Sequence, residues 1–149
     1  MFHHGRIKLK GVALLDIQLG GNSRLINEKW FIQAPEGPSL AGSRCRTCGR
    51  SYFPQKRVCP NCFKIDQMDP VSLSRRGKLY SFTIVEAAPP GFTAPYAVGY
   101  VDLPEGVRIF SPLNGDNDTL RIGMDLELTI GPIKEEDGAK VLGHRFGPS

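Results

Sequence analysis

The sequence predicts a mainly β protein in three parts: an N-terminal arm over residues 1–40, a four-cysteine metal ribbon over 41–67, and a barrel of five short strands over 76–149. Three observations carry this reading. All four cysteines fall in two C-x2-C pairs, Cys45/Cys48 and Cys59/Cys62, separated by the ten residues 49–58. Beyond Arg76 the chain runs in short apolar–polar alternations broken by Gly, Pro and Asp, the pattern of antiparallel strands joined by turns. At 149 residues with 40% hydrophobic side chains it can bury a core, yet no apolar run approaches the roughly 20 residues that a bilayer helix needs.

In the arm, Ile7-Lys8-Leu9-Lys10 alternates as a strand does. The stretch from Val12 to Leu19 follows, then a Gly20-Gly21-Asn22 break. Residues 25–32 have the spacing of a short helix, and Pro35, Gly37 and Pro38 end the segment. Trp30 and Phe31 are expected as buried anchors.

The ribbon is too short to build a core, so its fold depends on the ion. Each C-x2-C pair curls tightly enough to aim two thiolates at one point, and two pairs complete a tetrahedral four-sulfur site. Zinc suits four thiolates best, and iron is the rubredoxin-like alternative. Paired disulfides would need an oxidising compartment. The start Met1-Phe2-His3-His4 lacks the apolar centre of an export signal, so a cytoplasmic location is expected. Gly49 permits the positive-φ turn after the first pair, and Tyr52 and Phe53 are expected to flank the sulfurs.

Five alternating runs build the last part: 78–86, with Tyr80, Phe82 and Ile84 on one face; 97–103; 107–113; 125–130, with Leu126, Leu128 and Ile130 on one face; and 140–146. Five short antiparallel strands favour a small closed barrel, and the OB-fold is the best five-stranded candidate.

The net charge of +4 is unevenly spread. Residues 41–80 hold nine Lys/Arg against Asp66 and Asp69, whereas residues 100–149 hold five basic and nine acidic side chains. The basic excess is centred on the ribbon. It can neutralise a dianionic four-thiolate site or hold a phosphate-bearing ligand.

Several segments resemble one known family, in which a rubredoxin-like zinc ribbon precedes an OB-fold and which accompanies acyl-CoA enzymes. They are Ser43-Arg44-Cys45-Arg46-Thr47-Cys48-Gly49, Tyr52-Phe53-Pro54, Cys59-Pro60-Asn61-Cys62, the strand 77–85, the strand 95–103, Glu105-Gly106-Val107-Arg108-Ile109-Phe110 and Ile122-Gly123-Met124. The resemblance covers about residues 40–130 in order and spacing. It implies a structural Zn2+ on Cys45, Cys48, Cys59 and Cys62 and a non-catalytic subunit in a hetero-oligomer with a thiolase-fold catalytic subunit. It also implies an acyl-CoA as ligand of the complex. Arg44, Arg46, Arg50, Lys56 and Arg57 are the candidates for the coenzyme A phosphates, since cations on and between the knuckles suit them. Phe92, in the uncharged and proline-stiffened loop 87–95, is the candidate partner anchor.

The residue chemistry agrees with a non-catalytic role. Thiolytic cleavage needs a cysteine nucleophile with a base or acid, the four thiols are committed to metal, and the histidines are His3, His4 and His144. A closed four-thiolate site leaves no position for an activated water. The competing class is a nucleic-acid binder, with Tyr52, Phe53, Phe63, Tyr80 and Phe82 as a stacking platform. The acidic barrel half argues against it, because it would repel a phosphate backbone.

Overall fold

The computed structural model describes residues 2–8 and 14–20 by their backbone and residues 22–149 in full. Among the described residues the arm contributes four strands. β1 (Phe2–Lys8) and β2 (Leu14–Gly20) form an antiparallel hairpin with Phe2 opposite Gly20 and Lys8 opposite Leu14. Leu9, Lys10 and Val12, which belong to the expected arm pattern, lie outside the described residues. β3 (Ser23–Leu25) pairs in parallel with the last strand of the chain, and β4 (Phe31–Ala34) pairs with the first strand of the ribbon.

The short helix expected over residues 25–32 is not formed. Only one 3-10 turn, Glu28–Trp30, stands between β3 and β4, opened by the Asn27 side chain, which accepts from the Lys29 amide at 3.0 Å. Eight residues cannot repay helix nucleation without packing along one face. Here Leu25 and Phe31 instead enter the core from two separate strands.

The ribbon is β5 (Gly37–Cys45), β6 (Ser51–Tyr52) and β7 (Met68–Ser72), with β6 and β7 both antiparallel to β5. The barrel follows with β8 (Arg76–Val85), β9 (Tyr96–Asp102), β10 (Arg108–Leu113), β11 (Asp125–Glu136) and β12 (Ala139–Pro148). Antiparallel pairings run β10–β9–β8–β11–β12, and one parallel pairing, Leu113 with Phe146, closes the ring from β10 to β12. This is the five-stranded closed barrel expected from the alternation.

One phase differs. A β-bulge between Leu79 and Ser81 in β8 places Tyr80 as the extra residue against β9. A bulge shifts the two-residue period by one. Leu79 is therefore buried, Tyr80 is 51% exposed, and Phe82 and Ile84 return to the core. Tyr80, expected to share a face with Phe82 and Ile84, is thus on the outside.

Among the described residues one hydrophobic core spans the arm, the ribbon base and the barrel. Leu25, Phe31, Leu40 and Leu73, from the arm and the ribbon base, join Leu79, Val101, Ile109, Leu126, Leu128 and Phe146 of the barrel. Arg75 crosses the junction, its guanidinium donating to the carbonyls of Pro38 in β5 and Leu128 in β11. Among the described residues no helix is long and apolar enough to cross a membrane.

Candidate metal centre

The two knuckles have the same local structure. In the first, the Gly49 amide donates to the Cys45 carbonyl at 2.8 Å and the Cys45 amide to Arg50 at 2.9 Å; in the second, Phe63 donates to Cys59 at 2.8 Å and Cys59 to Lys64 at 3.2 Å. Each turn needs a left-handed residue directly after its second cysteine. Gly49 supplies it with φ +77° and Phe63 with φ +59°. A glycine takes that conformation without penalty; a phenylalanine does not.

The four sulfurs lie within 4.8 Å of one another, with Cys45 to Cys62 and Cys48 to Cys59 both at 3.6 Å. A tetrahedral ion with bonds of about 2.3 Å to sulfur has S–S edges of about 3.8 Å, so the cradle fits zinc. Cys45 and Cys59 are buried, while Cys48 and Cys62 are partly exposed.

The electrostatics also require a cation. The Cys48 amide hydrogen bond helps hold the Cys45 thiol below its usual range. Burial raises Cys59, but hydrogen bonds from Tyr52 and from the amides of Cys62 and Asn61 outweigh it and bring the thiol down to about 6. The Lys64 amide works to lower Cys62, yet burial and the neighbouring Cys45 and Cys59 sulfurs push it up to about 11. The turns are built to receive thiolates, and four cannot coexist without a cation between them. Bound Zn2+ would supply that charge and cross-link the knuckles; with four protein ligands it would be structural.

The Tyr52 hydroxyl lies 3.5 Å from the Cys59 sulfur, which raises the tyrosine to about 12. Phe53, expected beside the sulfurs with Tyr52, turns instead into the ribbon–barrel junction. There it packs edge-on against Trp30 at 5.8 Å and against His144 at 5.9 Å.

His144 of β12 donates through Nε2–H to the Phe110 carbonyl at 2.9 Å, and its buried Nδ1 has no hydrogen-bond partner. Burial lowers its pKa below 6.5, because a proton on Nδ1 would have no acceptor. The unfolded chain therefore takes up this proton first, and stability is lost as pH falls below about 6.5, the unfolded value, toward the lower folded one. The urea midpoint is expected to drop between about pH 7.5 and about pH 5.5, and His144→Leu to make that drop shallower. Equal slopes for the two proteins would remove His144 as the cause.

The five candidate phosphate ligands do not form one cluster. Lys56 and Arg57 line a groove of about 480 Å³ together with Lys29, Trp30, Ser43 and Met68. Its position is set by the Lys56 amide donating to Ser43 Oγ at 2.9 Å and Gln55 donating to the Gly42 carbonyl at 3.2 Å. Lys29 is a residue that sequence reasoning missed, because only the β4–β5 pairing brings the arm beside the ribbon. Arg50 lines a different groove with Arg108 and Glu105. Arg46 is engaged by Asp69 at 3.5 Å and by the Asp66 carbonyl at 2.7 Å, tying the first knuckle to β7. Arg44 is exposed beside Gly49.

The aromatics weighed as a stacking platform are likewise dispersed. Tyr52 serves Cys59, Phe53 the junction and Phe82 the core, while Tyr80 lies beneath the Arg108 guanidinium at 3.4 Å. Asp102 holds that guanidinium at 2.7 Å, so the cation beside Tyr80 is already paired with a carboxylate. Phe92, weighed as an exposed anchor, is half-buried and stacked on Tyr96 at 5.5 Å. Among the described residues Phe63 is the most exposed large apolar side chain, 75% exposed at the ribbon tip with Val58 at 42% and Ile65 at 62%. The signal for it was present in the sequence: aligning C-R-T-C-G with C-P-N-C-F puts Phe63 where the first knuckle has glycine.

A four-sulfur ribbon leading into a closed five-stranded barrel defines a zinc-ribbon/OB-fold protein. Residues 33–66 match the family described as "ChsH2, rubredoxin-like zinc ribbon domain" and residues 70–131 that described as "ChsH2, C-terminal OB-fold domain". The chain is 40% identical over 120 residues to "Benzoylsuccinyl-CoA thiolase subunit BbsA" of Thauera aromatica, covering 78% of this chain and 83% of that one. It is 36% identical over 137 residues to "DUF35 domain-containing scaffold protein" of Methanocaldococcus jannaschii, covering 86% and 97%. The solved "Ltp2-ChsH2(DUF35) aldolase" contains a chain of similar fold, with TM-score 0.61 and 30% identity over 74% of this chain and 84% of that one. This chain belongs to the ChsH2 zinc-ribbon/OB-fold, or DUF35, family.

Proposed function

We propose that the protein is a zinc-stabilised accessory subunit of an acyl-CoA-processing complex. It docks on a thiolase-fold catalytic subunit and helps hold the coenzyme A end of the substrate. The observation that carries this reading is the 40% identity to a thiolase subunit across most of both chains, on a fold whose four cysteines all face one metal centre. The reaction chemistry then belongs to the partner. The narrower reading is an acyltransferase complex acting on 2-benzoylsuccinyl-CoA, as in anaerobic toluene degradation.

Two surfaces suit the two tasks. The ribbon tip, Val58, Phe63 and Ile65, is the apolar contact for the catalytic subunit, supported by its exposure and by the left-handed backbone that Phe63 sustains. The groove lined by Lys29, Lys56 and Arg57, with the Trp30 indole beside them, is the site for coenzyme A phosphates. It presents three cations on a built groove, and Arg57 can give a phosphate two parallel hydrogen bonds.

Affinity purification from the native cell tests the class: a thiolase-fold protein should co-elute, and RNA in its place would overturn the reading. Within the complex, Lys56→Glu with Arg57→Glu should raise KM for acyl-CoA about three- to tenfold with little change in kcat, the mark of lost uniform binding. Zinc content should not change. An unaltered KM in an intact complex would make these cations structural.

A further inference from the structure

The acidic stretch 100–149 has five basic residues, and three of them, Lys134, Lys140 and Arg145, line one cleft of about 550 Å³. Its apolar wall includes the Phe92 ring stacked on Tyr96, with planes 19° apart, together with Pro112, Pro132 and Ile133. The cleft is closed by backbone. The Glu135 amide donates to the Gly91 carbonyl at 2.9 Å, and a Cβ on Gly91, whose φ is +91°, would lie 2.4 Å from the Glu135 carbonyl oxygen. Only glycine lets the loop seat this closely on β11.

Arg145 is the unusual group. It is half-buried, and its three guanidinium nitrogens donate to neutral acceptors: Asn114 Oδ1, the Pro132 carbonyl at 2.9 Å and the Leu113 carbonyl at 3.5 Å. Among the described residues no carboxylate lies within ion-pair distance of Arg145 or of Lys140, whereas Lys134 is engaged by Glu136 at 3.0 Å. A partly desolvated guanidinium without a counter-charge is costly, and an anion relieves that cost. Three of its five N–H groups are engaged, which leaves two for a ligand.

We propose that this cleft binds a planar ring carrying a carboxylate or a phosphate, with the ring against the Phe92–Tyr96 stack and the anion on Arg145 and Lys140. Two classes of molecule have this chemistry, an aromatic acid and a purine nucleotide. The proposal does not rest on the accessory-subunit reading, and its test needs no partner.

The full zinc-loaded chain is titrated by two-dimensional NMR with phenylsuccinate, with AMP, and with the neutral rings 2-phenylethanol and adenosine. One anion should give saturable shifts confined to residues around Gly91, Phe92, Thr93, Lys140 and Arg145, with its neutral counterpart at least about tenfold weaker. Saturation by phenylsuccinate identifies an aromatic-acid site, and saturation by AMP a nucleotide site. Lys140→Ala and Phe92→Ala should each weaken binding about tenfold while the rest of the spectrum stays in place, which reports an intact fold. No saturable shift with either anion up to about 10 mM overturns the proposal. So does binding that the neutral ring matches, or that Lys140→Ala leaves unchanged.

Discussion

Cys59→Ser is expected to abolish zinc binding and unfold the ribbon tip, residues 45–67, while leaving the barrel folded. Cys59 is fully buried and receives the Tyr52 hydroxyl and the second knuckle's amides. A serine there stays protonated and cannot replace a thiolate ligand. The tip has little else to hold it. Cys45 and Cys59 are its only fully buried apolar side chains, and most of its surface faces water. Structural zinc contributes an apparent ~10–16 kcal/mol to folding of comparable small modules, far more than such a tip can supply otherwise. The barrel has its own core in Leu79, Val101, Ile109, Leu126, Leu128 and Phe146 and is closed by the β10–β12 pairing. Metal analysis should fall from about one zinc per chain to none, and amide protection should vanish over the tip while persisting in β8–β12. A variant that keeps a full equivalent of zinc, or a tip that stays protected without it, would refute the role of the site.

If the ribbon tip is the proposed contact, Phe63→Asp should weaken association with the proposed catalytic subunit by about thirtyfold or more, the cost of losing a buried aromatic anchor of at least about 2 kcal/mol. Phe63 is 75% exposed in the isolated chain, so it adds little to folding. Its backbone sits at φ +59°, a conformation that costs a non-glycine residue about 1–2 kcal/mol. Phe63→Gly separates the two roles. It relieves the left-handed strain and, after the flexibility that glycine adds to the unfolded chain is deducted, is expected to raise chain stability by about 0.5–1 kcal/mol. It removes the same ring and so should also weaken association. A Phe63→Gly chain that binds its partner normally would show that the tip is not the contact, whatever Phe63→Asp does. A charge at the tip could repel a partner by itself, which makes the glycine variant the decisive one.

Much of this architecture is legible in short stretches of sequence. The metal centre follows from Cys45, Cys48, Cys59 and Cys62 because a C-x2-C turn is complete within five residues, and Gly49 marks the first of them. The strands β9, β11 and β12 follow from alternation because a half-buried strand writes its two faces into neighbouring residues. The Tyr80 bulge could not be read this way. It is a mismatch between β8 and β9, and the alternation of β8 alone has no mark of it. Residues 25–32 carry apolar spacing compatible with a helix, but the pairings of β3 with β12 and of β4 with β5 take that segment apart.

By itself, then, the sequence determined the four-cysteine cluster, the barrel strands and the basic character of the ribbon, all properties of residues close in the chain. Only the tertiary structure decided which cations share a groove. Lys29 joins Lys56 and Arg57, Arg46 is taken by Asp69, and Arg145 and Lys140 meet Phe92. It also turned Phe53 toward Trp30 and His144 and left Phe63 outside. The reason is physical: such contacts join residues tens of positions apart, and they form where strands from the arm, ribbon and barrel bury a common core, an outcome that no local pattern of side chains encodes.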